Sequence, residues 1–364
     1  MKIILFFFVL LATVSANAHE FSETCSTGQV LYYQTLNGYA SVTYAGSGSN
    51  PYNGYTKPSG DLIIPDTVNH NGYSYPVLYI DNKAFYECSE LTSVTIPTSI
   101  TTIGGNSFYG CSGLTTITIP GSVTRIVAGA FENCSNLTTV FFQAIECTQM
   151  GTVSSPAFAN CPNLTSLHID LGVTTIPSNA FYGCTSLNGT LVVPGTVTSI
   201  GNSAFYGCSG LSVLDLGNAL TEINAKAFYN CSNLDTIVSR STTPPTVGNV
   251  SAFENVDKTI PLIVPAGCRD AYANAYAWRD FFNISDNPTQ GIADTQIDGV
   301  VLSAASGRIA VTGADGRRIV LTDLQGRPIY RGIVTGTLTL DIPATGIYLL
   351  QLDGQPAHRI AVVK

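Results

Sequence analysis

Eight phenylalanines recur at nearly regular intervals through the middle of the sequence, and no other feature limits the fold as strongly. Their successive spacings are 23, 23, 27, 23, 24, 23 and 25 residues. A cysteine follows seven of them after three residues, and a leucine follows each cysteine after three more. In the eighth copy Val256 stands where the cysteine would be, as is common in a terminal repeat. The phenylalanines are Phe85, Phe108, Phe131, Phe158, Phe181, Phe205, Phe228 and Phe253, and the cysteines are Cys88, Cys111, Cys134, Cys161, Cys184, Cys208 and Cys231.

The residues of a single copy indicate the shape of the repeating unit. In LTSVTIP (91–97), Leu91, Val94 and Ile96 fit the L-x-x-L-x-L pattern of a short strand with these side chains directed inward. Pro97 ends the strand, because proline has no N–H to donate to a neighbouring strand. One such coil cannot bury its apolar side alone, whereas stacked coils can. The repeat therefore predicts a leucine-rich-repeat solenoid with parallel β-strands.

The pattern resembles the BspA-like leucine-rich-repeat family of bacterial surface proteins, whose landmarks are I-P, I-G, A-F and C-x-x-L. The resemblance covers roughly residues 28–285. It implies an N-terminal cap over residues 19–80, the solenoid over 81–260, and a C-terminal cap over 261–286. The stretch 269–284 in that last cap is expected to be an amphipathic helix, because Tyr272, Tyr276 and Phe281 have helical spacing. Trp278 is expected to plug the end of the core.

The N-terminus has the features of an export signal. Lys2 precedes an apolar run from Ile3 to Val14, and Ala16-Asn17-Ala18 supplies the small-x-small pattern of a cleavage site. The apolar run is too short for a stable membrane anchor, and no later stretch resembles a transmembrane helix. We therefore expect residues 1–18 to be a signal peptide and the protein to be exported.

The C-terminal part has a different organisation from the repeats. Residues 287–295 form a polar linker, and residues 296–364 contain short alternating segments separated by turn residues, which predicts a small antiparallel β-sandwich. This part resembles the C-terminal sorting domain of the type IX secretion system of Bacteroidota, through Asp323–Arg327, Gly346–Tyr348 and Val363–Lys364. The resemblance implies passage across the outer membrane by that machinery and a location at the cell surface or outside the cell. An immunoglobulin-like domain without a sorting role is the alternative.

The ten cysteines are expected to be mostly buried free thiols rather than a disulfide framework. Neighbouring coils lie about 4.8 Å apart, whereas the Cβ atoms of a disulfide lie about 3.8 Å apart. A small buried thiol behaves as an apolar side chain. No C-x-x-C pair is present, so a zinc site is not expected. Cys25, Cys147 and Cys268 lie outside the repeat, and their pairing stays open.

Charge and motifs argue against nucleic-acid binding and against catalysis. The chain has 16 Lys and Arg residues against 24 Asp and Glu residues, a net charge of −8, so it lacks the cationic excess that neutralises phosphates. None of the four histidines lies in a spaced ligand pair, and the sequence contains neither a G-x-S-x-G elbow nor a phosphate-binding loop. We expect no enzymatic activity, no cofactor and no metal.

A binding role is the better expectation, because a solenoid presents one long ordered face to a partner. Outward strand positions are mostly threonine and serine, as at Thr116 and Thr118, whereas Phe141, His168 and Asp215 depart from that background. Departures of this kind are where a partner finds an anchor. The predicted partner-binding residues on the concave face are Phe141, His168, Asp215, Thr116, Thr118 and Val213.

The family resemblance implies adhesion to a host or neighbouring-cell protein, with matrix proteins such as fibronectin as candidates. The alternative is glycan binding, either on the strand face or on the N-terminal cap. Residues 32–79 hold nine of the 18 tyrosines, including Tyr32, Tyr33, Tyr39, Tyr44, Tyr52 and Tyr55. Two simpler interpretations stay open. The threonine and valine residues of the strand face suit any exposed strand, whether or not it binds a partner. The tyrosines of the cap suit positions where one side of the ring is buried and the other faces solvent.

Overall fold

In the computed structural model, the chain divides into two compact units, each of which makes most of its contacts within itself. The first comprises Met1–Ser212, Glu222–Asn233 and Val247–Val256, and the second comprises Val213–Thr221, Leu234–Thr246 and Asp257–Lys364. The predicted signal peptide, most of the linker, and Leu324, Gln325, Gly326, Val363 and Lys364 of the sorting motifs lie outside the described residues. The structure describes residues 19–46, 51–286, 295–297, 300–305, 308–312, 314–323, 327–341, 346–353 and 358–362.

The predicted fold class is confirmed. The repeats form a parallel β-solenoid of about nine turns with a period of about 23 residues, and the C-terminal region has antiparallel sheets. We number the strands along the chain. The N-terminal strands are β1 (Phe21–Thr24), β2 (Val30–Leu36), β3 (Tyr39–Thr43), β4 (Gly60–Ile63), β5 (Thr67–His70) and β6 (Tyr73–Ile80).

Seven coils of the solenoid contribute one longer and one shorter strand each, and two further longer strands follow them. The longer strands are β7 (Leu91–Thr95), β9 (Thr116–Ile119), β11 (Thr139–Phe142), β13 (Ser166–Ile169), β15 (Gly189–Val193), β17 (Leu211–Leu216), β19 (Thr236–Ser239), β21 (Pro261–Ile263) and β22 (Asn283–Ser285). The shorter strands are β8 (Thr102–Ile103), β10 (Arg125–Ile126), β12 (Gln149–Met150), β14 (Thr175–Ile176), β16 (Ser199–Ile200), β18 (Glu222–Ile223) and β20 (Thr246–Val247).

In the first unit, the strands of the N-terminal cap continue directly into the shorter strands. A sheet runs in the order β1-β2-β3-β6-β8-β10-β12, antiparallel up to β3 and parallel from there on. The longer strands pair separately, β4 with β7, and β9 with β11 and β13. Because every pairing within the repeats is parallel, equivalent residues of successive coils stand side by side.

The repeated phenylalanines form one continuous stack in the core of the first unit. Successive ring centroids from Phe85 to Phe253 lie 5.0–5.7 Å apart, with the rings close to parallel. All eight rings are almost completely buried. The residue two positions after each phenylalanine has a positive φ, between 54° and 73°. This backbone conformation favours glycine and asparagine, and one of these occupies seven of the eight positions, with Glu87 as the exception.

The repeated cysteines are free and buried, as predicted. In five coils the thiol donates a hydrogen bond to the carbonyl oxygen of the phenylalanine one coil earlier, for example from Cys134 Sγ to Phe108 O at 3.2 Å. Burial raises the pKa of the Cys88 and Cys231 thiols to about 12. Cys25 and Cys147, outside the repeat, are also buried, and Cys268 is half-buried.

The second unit contains a short helical segment after β21. Its helix α1 covers only Arg269–Asn274, so the expected helix over 269–284 is wrong in length. The chain leaves the helical path at Ala275, which is extended (φ −80°, ψ 143°). A positive φ of 66° at Ala277 then precedes a 3₁₀ turn at Trp278–Asp280. Trp278 is completely buried, as expected of a plug, and its indole N–H donates to Pro245 O at 2.8 Å. Tyr276, however, is exposed.

The C-terminal region of the second unit contains two four-stranded antiparallel sheets, in the orders β23-β24-β25-β28 and β27-β26-β29-β30. Residues from both sheets, including Ile309, Leu321 and Leu350, share one apolar core, as in a sandwich. The strands are β23 (Thr295–Ile297), β24 (Val300–Ala305), β25 (Arg308–Thr312), β26 (Arg318–Asp323), β27 (Pro328–Ile333), β28 (Leu338–Asp341), β29 (Gly346–Leu352) and β30 (His358–Val362). Over the described part of the whole chain, no helix has the length and apolar character needed to cross a membrane.

Candidate binding face

The longer strands of the first unit present alternate residues to solvent, and their parallel register arranges these residues in rows. One row contains Thr118 of β9, Phe141 of β11 and His168 of β13. A second row contains Thr116, Thr139 and Ser166 at the equivalent positions. The alternate residues Ile117 and Val140 point inward and are buried. Four of the predicted binding residues, Thr116, Thr118, Phe141 and His168, therefore lie together on one sheet.

Phe141 and His168 form an exposed stacked pair. Their ring centroids are 4.9 Å apart and the ring planes differ by 12°. Phe141 keeps 39% of its surface exposed, although a phenylalanine is normally buried. The Ser166 hydroxyl lies 3.1 Å from His168 Nε2 and fixes the orientation of the imidazole. The pair is thus a rigid aromatic platform that can pack against an apolar or planar group of a partner.

Two exposed apolar residues follow the strands that carry this pair. Ile145 comes after β11 and is 46% exposed, and Leu171 comes after β13 and is 78% exposed. The sequence prediction missed both, because the repeat template assigns no role to residues beyond the strand. The available signal for Ile145 was the spacing of 27 residues between Phe131 and Phe158, the longest in the repeat, whereas Leu171 lies in an interval of ordinary length.

Asp215 does not have the exposure that the sequence predicted. Its side chain is buried, and the Arg240 guanidinium binds it with two hydrogen bonds, from Nε to Oδ1 at 2.6 Å and from Nη2 to Oδ2 at 2.8 Å. Asp215 and Val213 belong to the second unit, where Val213 is half-buried. The carboxylate is neutralised within the protein, so the expectation that it points outward as a charged anchor is wrong.

Hydroxyl groups on the longer strands are partly occupied by neighbours. Thr92 and Ser93 donate to Asp61 Oδ1 at 3.1 and 2.7 Å, and these bonds hold the pKa of the Asp61 carboxyl below its ordinary value. Thr138 donates to Thr115 O on the preceding coil at 3.0 Å. Asp61 was not predicted, since it lies in the N-terminal cap outside the repeat. Its place on the face follows from the pairing of β4 with β7.

The tyrosine-rich cap is largely a packing feature. Tyr33 is completely buried, and Tyr32 and Tyr52 are also buried. The Tyr52 hydroxyl donates to Ala84 O inside the core. These three rings cannot stack on a sugar, so the structure corrects their expected exposure and agrees with the interpretation that the cap uses amphipathic tyrosines.

Two family models match the sequence. A model described as "BspA type Leucine rich repeat region" matches residues 71–188 and 151–281 in six copies, which together cover more than half of the chain. A model described as a domain of unknown function (DUF6383) matches residues 289–363. None of the curated proteins matches the sequence.

Among solved structures, a leucine-rich repeat protein of T. pallidum is 21% identical with a TM-score of 0.37, and the match covers 64% of this chain and 83% of that one. A leucine-rich repeat protein from Bacteroides ovatus is 19% identical with a TM-score of 0.29, covering 70% and 86%. A leucine-rich cell surface protein from Faecalibacterium prausnitzii is 18% identical with a TM-score of 0.31, covering 72% and 98%.

Proposed function

Because the chain belongs to the BspA-type leucine-rich repeat family, we propose that it is an exported surface protein that binds a macromolecular partner through its strand face. We define the strand face as Thr116, Thr118, Phe141 and His168. The partner is a protein of a host or a neighbouring cell, and an extracellular matrix protein such as fibronectin is the candidate.

The stacked pair of Phe141 and His168 is the observation that carries this proposal. Around it the face is made of small hydroxyl side chains, which offer hydrogen bonds but little apolar area. Binding energy in protein interfaces concentrates in a few large side chains near the centre of the contact. Phe141 and His168 are rigid before binding, so little side-chain entropy is lost when a partner packs on them. Exposed Ile145 and Leu171 extend the apolar area of the same coils.

Replacing Phe141 and His168 together by threonine tests the role of the strand face. We expect immobilised fibronectin to bind this double variant at least about tenfold more weakly than the unmodified protein, because about 1.4 kcal/mol of contact energy is lost. Surface plasmon resonance measures the dissociation constants. Val30→Thr is the matched control, since Val30 is a similarly exposed apolar strand residue (43% against 39%) on β2, which belongs to a different sheet.

Undiminished fibronectin binding by the double variant would move the site away from the strand face. If fibronectin does not bind the unmodified protein at all, the matrix-protein part of the proposal is wrong. Binding to a glycan array in the same series, lost in the double variant, would replace the protein partner by a sugar on the same face.

Export through the C-terminal sandwich is the second part of the proposal. The sequence of residues 296–364 resembles a type IX sorting domain, and Arg327 closes one of its motifs by donating from its backbone N–H and from Nε to Asp323, at 2.9 and 2.6 Å. Deleting residues 291–364 in a Bacteroidota host is expected to abolish surface display while leaving the repeats folded. Surface labelling of whole cells measures this, and unchanged display would reject the sorting role.

A further inference from the structure

A polar depression lies in the N-terminal cap, on a different sheet from the strand face. Its volume is about 290 Å³, and it is entirely within the first unit. The strand pairing explains how it forms, because Gln34 of β2 stands opposite Ser41 of β3, which stands opposite Tyr79 of β6. Asp81 follows β6 directly and contributes its carboxylate to the same lining.

The Asp81 carboxylate is held in place through one of its two oxygens. Oδ2 accepts hydrogen bonds from Gln34 Nε2 at 2.5 Å and from Ser41 Oγ at 2.8 Å. Oδ1 has no partner among the residues that the structure describes. Burial raises the pKa of Asp81, and the two hydrogen bonds offset part of that effect. One oxygen of a fixed, half-buried carboxylate is therefore available to a group outside the protein.

Aromatic rings and an apolar side chain form the rest of the lining. Tyr39 and Tyr79 meet edge to face with their centroids 5.0 Å apart, and both are half-buried. Leu36, opposite Tyr39 in the hairpin, is 59% exposed at the margin of the depression. A site with a carboxylate beside aromatic rings attracts cations in two ways. The carboxylate attracts them through its negative charge, and the rings attract them through their electron-rich faces.

Among the described residues, no positively charged side chain lines the depression. Along the row of paired residues, the nearest cation is Arg125 of β10, two strands beyond Tyr79. At the margin, Thr35 donates from its backbone N–H and its hydroxyl to Glu20 Oε2, at 3.1 and 2.7 Å. Glu20 Oε1 also lies 3.5 Å from His70 Nε2. The net charge of the lining is therefore negative, and the lining is rich in hydrogen-bond acceptors.

We propose that this depression binds a primary ammonium group, which donates to Asp81 Oδ1 and packs against the rings of Tyr39 and Tyr79. An ammonium offers three donors to a site whose fixed groups are mainly acceptors. A volume of about 290 Å³ accommodates the aminoalkyl end of a lysine side chain or an amino sugar. The inference does not depend on the proposed strand-face function, since it uses other residues on another sheet.

The test is a titration of the intact protein followed by NMR chemical shifts, with two ammonium probes and their neutral counterparts. Nα-acetyl-lysine methylamide and glucosamine are the probes, and Nα-acetyl-norleucine methylamide and N-acetylglucosamine are the counterparts. We expect one of the ammonium probes to bind at least about tenfold more tightly than its neutral counterpart. Whichever of the two binds identifies the source of the ammonium as a peptide or as a sugar.

Two variants connect binding to this site. Asp81→Asn keeps an acceptor for Gln34 and Ser41 but removes the charge, and it is expected to weaken ammonium binding about tenfold or more. Leu36→Arg places a competing cation at the margin without altering a buried group, so it has the same expected effect even if Asp81→Asn were to unfold the cap. Asp66→Asn, at an exposed acid outside the lining, is the matched control and is expected to change nothing.

Equal binding of the charged and neutral probes would overturn the proposal. So would retention of full affinity in the Leu36→Arg variant, because the ammonium would then be bound elsewhere on the protein.

Discussion

Replacing Phe205 by alanine is expected to lower the free energy of unfolding by about 3–5 kcal/mol. The ring is completely buried between Phe181 and Phe228, with centroid distances of 5.6 and 5.5 Å. The neighbouring coils cannot close the resulting cavity, because backbone hydrogen bonds such as Phe205 N–H to Ala227 O fix their spacing. Urea unfolding followed by circular dichroism measures the change.

Phe282→Ala is the control for this prediction, since the Phe282 side chain is 80% exposed. Its removal is expected to change the free energy of unfolding by no more than about 0.5 kcal/mol. If Phe205→Ala cost as little as the control, the phenylalanine stack would be incidental to the stability of the solenoid. The repeat would then owe its regularity to the leucine strands and the backbone ladders alone.

The fold could be predicted from the sequence because every copy of the repeat has the same apolar residues to bury at the same positions. Phe85 and its seven equivalents recur at a spacing that fits one coil, and only stacking buries such a set of side chains. The free cysteines followed from the same argument, since one thiol per coil leaves each with a neighbour too distant for a disulfide. Such predictions are secure because the pattern is supported by several copies, so that one divergent copy, such as that with Val256, does not change it.

The parts that the sequence predicted poorly are those that occur once. The helix expected at 269–284 ends early because the backbone becomes extended at Ala275 and adopts a positive φ at Ala277, which the spacing of aromatic residues does not reveal. Ile145 and Leu171 lie outside the strand template, so their exposure depends on local loop geometry. The stacking of Phe141 on His168 was only half predicted: both were expected to face outward, but their contact depends on the parallel register of β11 with β13.

Strand alternation alone could not predict the burial of Asp215, because its environment depends on a residue one coil away. Alternation along β17 places its side chain among the outward positions, yet Arg240 lies close enough to cover it. A bidentate pair of this kind needs a guanidinium of the right reach at one position of the next coil. The sequence contained both residues, 25 positions apart, but no periodic pattern connects them.

Arg240→Ala is expected to destabilise the protein by about 3 kcal/mol, because it leaves the buried Asp215 carboxylate without its counter-charge. Asp215→Ala is expected to cost less, since the Arg240 side chain keeps 24% exposure and can reach water once its partner is absent. Replacing both residues at once, Asp215→Leu with Arg240→Met, is expected to recover most of the loss, because no unpaired charge remains. Urea unfolding of the three variants measures the differences.

Arg269→Ala is the matched control, because Arg269 pairs with Asp270 at 3.4 Å on the surface, where both side chains are well exposed. Its expected cost is below about 1 kcal/mol. A cost for Arg240→Ala no larger than this would mean that Asp215 reaches solvent, which would restore it as a charged anchor for a partner. If the cost is large and the Asp215→Leu, Arg240→Met variant binds fibronectin as tightly as the unmodified protein, Asp215 is a structural residue, and Phe141 and His168 stay the candidate anchors on the longer strands.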